Sequence, residues 1–219
     1  VKVCAICPGV HDVLIAAEKE ERARRIEGLK ALLKAAGELG AAGVIVVPVF
    51  GGPPFPDLRP WKSDVEIERE YFLHVLAEEI LPVAAREGTA IFLEPLNRYE
   101  DHMLNRLGQA VSLIEEGRFS RVKVAADFFH MNIEEPRIEE SILQARDYIG
   151  HVHLADSHRF QPGDGHLDFA PGLAALKEIG YDGYLAFECR VRGKPEEAYP
   201  ESVRYIRGLL SRVLEDPGQ

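Results

Sequence analysis

Apolar, β-rich runs and helix-periodic segments alternate six times along the chain, and no other feature restricts the fold as tightly. The strand-like runs fall at 1–7 (VKVCAIC), 43–50 (GVIVVPVF), 90–97 (AIFLEPLN), 122–130 (VKVAADFFH), 149–156 (IGHVHLAD) and 183–190 (GYLAFECR). Between and after them, residues 17–39, 64–87, 105–117, 137–147, 171–179 and 196–214 carry helical spacing. In the first of these, Ile26, Leu29, Leu32, Leu33 and Ala36 recur three and four apart, which makes one apolar stripe. Gly40, Gly43, Gly150, Gly180 and Gly183 sit around helix-to-strand joints, where left-handed caps are common.

Six such units predict an α/β fold with a parallel sheet covered by helices. No linker, low-complexity tract or composition shift divides residues 1–219, so a single domain is expected. The loops after the strands are the long, polar, Pro/Gly-rich ones. FGGPPFPDLRPW (50–61) and HRFQPGDGHLDF (158–169) are the clearest. Long loops at the carboxyl ends of parallel strands are where α/β barrels build their sites. A TIM-type barrel needs eight units, and six are visible. Six strands at barrel curvature leave two edges, so the expectation is that two amino-terminal units are absent or that another chain covers the gap.

The 219 residues carry a net charge of −10. That disfavours a duplex-binding surface, which needs a basic footprint, but suits cations bound by carboxylates. No apolar run reaches the roughly 18 residues of a membrane span, and no signal-peptide pattern opens the chain, so a cytoplasmic location is expected. Cys4, Cys7 and Cys189 make no disulfide framework.

Four successive strands end in residues able to bind a metal: Glu94, Asp127, His153 and Glu188. Each taken alone has a plain structural reading, as a helix cap, an ion-pair partner or a core histidine. Together they form a mostly oxygen donor set with one nitrogen, which suits a single divalent ion: Mn²⁺ first, with Mg²⁺ or Co²⁺ as alternatives. Three converging carboxylates also repel one another unless a cation lies between them. Glu100, His130 and Arg159 follow these positions at short offsets and could contact a polyhydroxylated ligand, or could be solvated loop residues. His151 shares a strand face with His153 and is expected one layer deeper. Asp156 is a rival ligand, and His166 and Asp168 are read as loop-fixing residues. Cys7 and Phe50 end the first two strands and are candidates to line a pocket.

At EPLNRYE, DFFHMNIEE, GHVHLADSHRFQPGDGHLDF and YLAFECR, spread over residues 90–190, the chain resembles the sugar isomerase/epimerase group of xylose-isomerase-like TIM barrels. It is most similar there to the ketose 3-epimerases of the D-tagatose/D-psicose type. The resemblance implies that Glu94, Asp127, His153 and Glu188 are the metal ligands, with Glu94 and Glu188 also the catalytic acid/base pair. It implies substrate contacts from Glu100, His130 and Arg159. The expected activity is epimerisation at C3 of a ketose through an enediolate, with aldose–ketose or hydroxypyruvate-type isomerisation as the alternative on the same metal site. A non-catalytic fragment of such a barrel is the further alternative. A small-molecule sugar and a second copy of the chain are the expected partners.

Overall fold

The computed structural model describes residues 1–9 and 13–215. Six strands, β1 (Ala5–Ile6), β2 (Gly43–Val46), β3 (Ala90–Leu93), β4 (Val122–Asp127), β5 (Ile149–Leu154) and β6 (Leu185–Phe187), form one parallel sheet in sequential order. Around it lie α1 (Lys19–Leu39), α2 (Asp64–Val75), α3 (Leu81–Glu87), α4 (Leu107–Gly117), α5 (Phe128–Glu134), α6 (Ile138–Gln144), α7 (Ala170–Glu178) and α8 (Pro195–Glu215). This is the βα repeat of a TIM-type barrel with six of its eight units. Among the described residues the sheet is open, since β1 pairs β2 and β6 pairs β5 without a closing ladder between them.

The strands are shorter than the apolar runs suggested. The largest difference is at 122–130: β4 stops at Asp127, and the next residue already begins α5. The reason is local, because the Asp127 side chain accepts the backbone N–H groups of Phe129 and His130 and so caps that helix. His130 therefore stands on a helix rather than a strand. The 64–87 segment is helical throughout, but a π-turn at Leu76–Ile80 joins α2 to α3. Pro82, in the first turn of α3, has no N–H to donate, and the widened turn accommodates that loss. The α2 start is a capping box, with Ser63 and Glu66 satisfying each other's backbone N–H.

Strand periodicity divides the apolar residues between two faces. Val44, Val46, Ile91, Leu93, Val124, Ala126, Val152 and Leu154 face the helices and belong to the main core, together with Leu33, Phe72 and Leu113. Ile45, Phe92 and Ala125 form a separate small cluster on the barrel-interior face. Side chains alternate along a strand, so the interior face of β3 continues from Phe92 to Glu94, and that of β4 from Ala125 to Asp127. The cross-strand partners Ala125↔His151, Asp127↔His153 and His153↔Ala186 carry the same face across β5 and β6.

Candidate metal and active site

The interior face ends, at the carboxyl rim of the sheet, in Glu94, Asp127, His153 and Glu188. One ligand atom of each lies within 4.8 Å of all the others. The apolar run of β3 places Glu94 one residue beyond its last strand position, where its backbone N–H still bonds Val46 O at 3.0 Å. Glu188 does the same after β6, bonding Leu154 O at 3.3 Å. His153 is inside β5. Its Nδ1 lies 2.8 Å from Glu94 Oε1 and 2.8 Å from Glu188 Oε2, with Asp127 Oδ2 at 3.8 Å. Asp127 has two jobs: Oδ1 caps α5, and Oδ2 faces the cluster.

These groups shift one another's protonation strongly. Burial opposes charge on His153, but the Glu94 carboxylate and then Glu188 outweigh it and hold the imidazole proton up to about 11. Burial raises the Glu94 carboxyl, and the nearby Glu188 and Asp127 charges add to the rise against the pull of His153. Burial also acts to raise Glu188, but His153 and the Arg159 guanidinium hold it well below the usual carboxylate range. Below the cluster, His151 stacks on Phe92 with ring centres 5.7 Å apart and meets His153 edge-on at 4.8 Å. Burial, with the neighbouring His153 charge, lowers it to about 4, so it is neutral at ordinary pH.

The donor set fits a divalent cation. Three carboxylates and one imidazole converge in a buried site, an oxygen-rich set with one nitrogen. Glu188 Oε2 is buried and, among the described residues, accepts no hydrogen bond of acceptable geometry, although two cationic groups approach it closely. Those two cations offset part of the cost of burying this oxygen, and a divalent ion held by the four residues would complete its shell.

Arg159 sits beside this set. Its Nη1 is 2.6 Å from Asp127 Oδ2, its Nη2 is 2.8 Å from Glu188 Oε2, and its guanidinium lies 4.8 Å from the centre of the Phe129 ring. The residue has φ 64°, a left-handed conformation unusual for a side chain of this size, fixed by its N–H to Asp156 O and its carbonyl to Arg190 N–H. Strain of that kind is retained where surrounding structure over-determines it, and here it turns the guanidinium onto two of the carboxylates.

His130 and Glu100 meet through Asn97. The Asn97 backbone N–H and side-chain Nδ2 both donate to His130 Nδ1, at 3.1 and 2.9 Å, which leaves the proton of the neutral ring on Nε2. The same Nδ2 donates to Glu100 Oε1 at 2.8 Å. A cleft of about 160 Å³ opens above the cluster, walled by Glu94, Glu188, Glu100, His130, Arg159, Cys7 and Phe50 among others. Cys7 Sγ reaches Glu188 Oε1 at 3.7 Å, and burial together with Glu188 pushes its thiol pKa up, away from reactive thiolate.

Of the seven residues singled out by sequence for metal or substrate, Glu94, Glu188, Glu100, His130 and Arg159 line the cleft, while Asp127 and His153 lie in the adjoining cluster with Glu94 and Glu188. Asp156 does not join them: its carboxylate accepts the N–H groups of Ser157, Gly163 and Leu167 and fixes the loop after β5. His166 and Asp168 hold the same region, through Ser157 Oγ at 3.0 Å and Ala170 N at 3.0 Å. The sequence reading missed Asn97, which lies within the motif itself; its signal was an amide placed between a candidate ligand, Glu94, and a second acid, Glu100. It also missed Phe129 under Arg159 and the buried pair Glu68 and His102.

The family profile described as xylose isomerase-like TIM barrel matches residues 1–209. The 3-dehydro-D-guloside 4-epimerase of Escherichia coli is 40% identical over 193 residues, covering 84% of this chain and 72% of that protein. A crystal structure of a 3-keto-D-glucoside 4-epimerase from E. coli superposes with a TM-score of 0.85 at 36% identity, over 95% of this chain and 80% of that one. The L-ribulose 3-epimerase of a Methylomonas species is 39% identical over 111 residues, or 51% of this chain, and the match spans only 39% of that relative.

Proposed function

The chain belongs to the xylose isomerase-like TIM barrel family, and on that premise we propose that it is an isomerase-class enzyme, a sugar epimerase that inverts C3 of a ketose with Glu94 and Glu188 as its two proton-transfer groups. The observation that supports the reading is the convergence of these two carboxylates on one imidazole nitrogen, each 2.8 Å from His153 Nδ1, with both lining an open cleft. Epimerisation next to a ketone needs a base on one face of the carbon and an acid on the other, and Glu94 after β3 and Glu188 after β6 would supply them.

Glu94, Asp127, His153 and Glu188 would hold one divalent ion, Mn²⁺ by preference. When bound, that ion supplies Lewis-acid polarisation of the ketone and charge stabilisation as the neighbouring C–H is lost. The remaining roles belong to side chains. One glutamate takes the proton from C3 and the other returns a proton to the opposite face. His130, with its proton fixed on Nε2 by Asn97, donates to a sugar oxygen. Glu100 accepts from a hydroxyl, while Arg159 supplies positive charge at the cleft wall where negative charge develops. The relatives' names include inversion at C4 of 3-keto glycosides and at C3 of ketoses, and both are proton transfers at the carbon adjacent to a ketone.

The test is product analysis with Mn²⁺-loaded protein in D₂O on D-psicose, D-tagatose, D-fructose, L-ribulose and a 3-keto-D-glucoside. The expected result is an epimer carrying deuterium at the inverted carbon, with Glu94→Gln and Glu188→Gln inactive but folded and only weakly able to bind Mn²⁺. Aldose products would assign the same site to carbonyl migration instead. Full activity in either Gln variant would remove that residue from proton transfer.

A further inference from the structure

Outside the cluster, the most completely buried acid among the described residues is Glu68 on α2, which is 0% exposed. Its Oε2 meets His102 Nε2 at 2.5 Å, and its Oε1 accepts the Phe55 N–H at 3.3 Å. The other ring nitrogen of His102, Nδ1, lies 2.8 Å from Gly51 O. A carbonyl can only accept, so Nδ1 carries a proton, and the short Nε2 contact to a carboxylate needs a second proton between them. The imidazole is thereby clamped between an acid of α2 and a carbonyl at the end of the β2 strand region.

The clamp continues toward the cleft. Gly51 N–H donates to Glu100 O at 2.7 Å, and Gly51 and Asp101 form an isolated parallel bridge. Gly51 has φ 89°, a conformation that side-chain-bearing residues avoid. The result is one continuous path: Glu68, His102, Gly51 and the backbone of Glu100, whose carboxylate is then held by Asn97 Nδ2. The loop of residues 97–105, between β3 and α4, and the loop after β2 are fastened to each other here, and both wall the cleft through Glu100 and Phe50.

We propose that the Glu68–His102 pair is the positioning device for Glu100, setting how tightly the cleft holds the sugar while taking no part in proton transfer. This rests on the substrate-binding role given above to Glu100. Glu68 contacts neither the metal cluster nor the cleft, so its removal acts through the loop.

The experiment compares Glu68→Ala, Glu68→Gln, His102→Gln and Arg69→Ala in the full chain. Arg69 also sits on α2 but pairs outward, to Glu116 and Ser112 on α4, and serves as the control for general loosening of that helix. Three quantities are read: amide hydrogen exchange, Mn²⁺ affinity, and KM against kcat on whichever probe ketose the wild type converts. In Glu68→Ala and His102→Gln the Gly51 and Glu100 amides exchange faster. KM rises on the order of tenfold, the fold-change set by losing one hydrogen bond to a charged group, with kcat within about twofold. Mn²⁺ affinity stays unchanged. Glu68→Gln keeps a donor for His102 and recovers most of the wild-type KM, and Arg69→Ala matches wild type throughout. Unchanged Gly51 and Glu100 exchange in both His102→Gln and Glu68→Ala overturns the proposal, as does a fall in kcat at constant KM. Should the wild type convert none of the probes, the epimerase reading fails on its own, and the exchange data still decide whether the pair holds the loop. If Glu68→Ala does not fold, His102→Gln, at a partly exposed position, carries the comparison.

Discussion

Replacing Asp101 by Asn should remove a specific, calculable part of the protein's pH-dependent stability. Asp101 is 1% exposed. Its Oδ1 accepts the Met103 and Leu104 N–H groups, while its Oδ2 is buried without a hydrogen-bond partner among the described residues. Burial outweighs the two backbone hydrogen bonds and the nearby His102, and raises its carboxyl from 3.8 to about 6. A raised carboxyl binds its proton more tightly in the folded chain than in the unfolded one. Its stabilising contribution is therefore complete below about pH 4 and is lost as pH rises through about 6. The shift corresponds to about 3 kcal/mol, as an order of magnitude. Asn keeps an oxygen for the two N–H groups but cannot ionise. Urea unfolding of both proteins from pH 4 to 7.5 gives the difference, because titrating groups not coupled to Asp101 cancel between them. The stability of wild type relative to Asp101→Asn should fall by about 2.5 kcal/mol across that window, nearly all of it between pH 4 and 7. A difference that stays flat within about 0.5 kcal/mol would show that the buried carboxyl is not destabilised by ionisation, and would refute the reasoning.

Three further outcomes are expected from the packing. Phe72→Ala removes a ring that is 0% exposed in the core between α2 and the sheet, and should cost about 3–5 kcal/mol in chemical unfolding, since a cavity of that size cannot collapse fully. Gly43→Ala would place a Cβ 2.3 Å from Ala90 O. It should therefore destabilise the β2–β3 pairing by about 1–3 kcal/mol, with faster exchange of the Ala90 and Ile91 amides as its signature. Ser63→Ala deletes one half of the α2 capping box and should lower the thermal midpoint by the equivalent of about 1 kcal/mol, while Ser63→Asp, also a good cap, should leave it unchanged.

Much of the barrel architecture was legible in the sequence because it depends on short-range periodicity. Apolar runs bounded by helix-periodic segments fix a parallel βα order, and the period of two along each strand decides which residues face inward. Phe92 and Glu94, Ala125 and Asp127, and His151 and His153 share faces for that reason alone. Strand ends were less legible: the run at 122–130 reads as continuous β-structure, yet a single capping carboxylate converts its last residues into α5 and lifts His130 onto a helix.

What the chain order could not determine is which distant groups compensate the buried charges. Arg159 reaches Asp127 and Glu188 only because its backbone is held left-handed by contacts on both sides. Asn97 fixes the tautomer of His130 from 33 residues away, and Glu68 clamps His102 from 34. Local sequence pattern carries no record of such pairings, because the free energy of burying an acid or an imidazole is settled by the partner that the fold brings to it. The sequence by itself placed four candidate metal ligands on one face of one sheet. The tertiary structure decided that they converge, and it supplied the cationic and amide partners that allow three carboxylates to share one cluster beside the cleft.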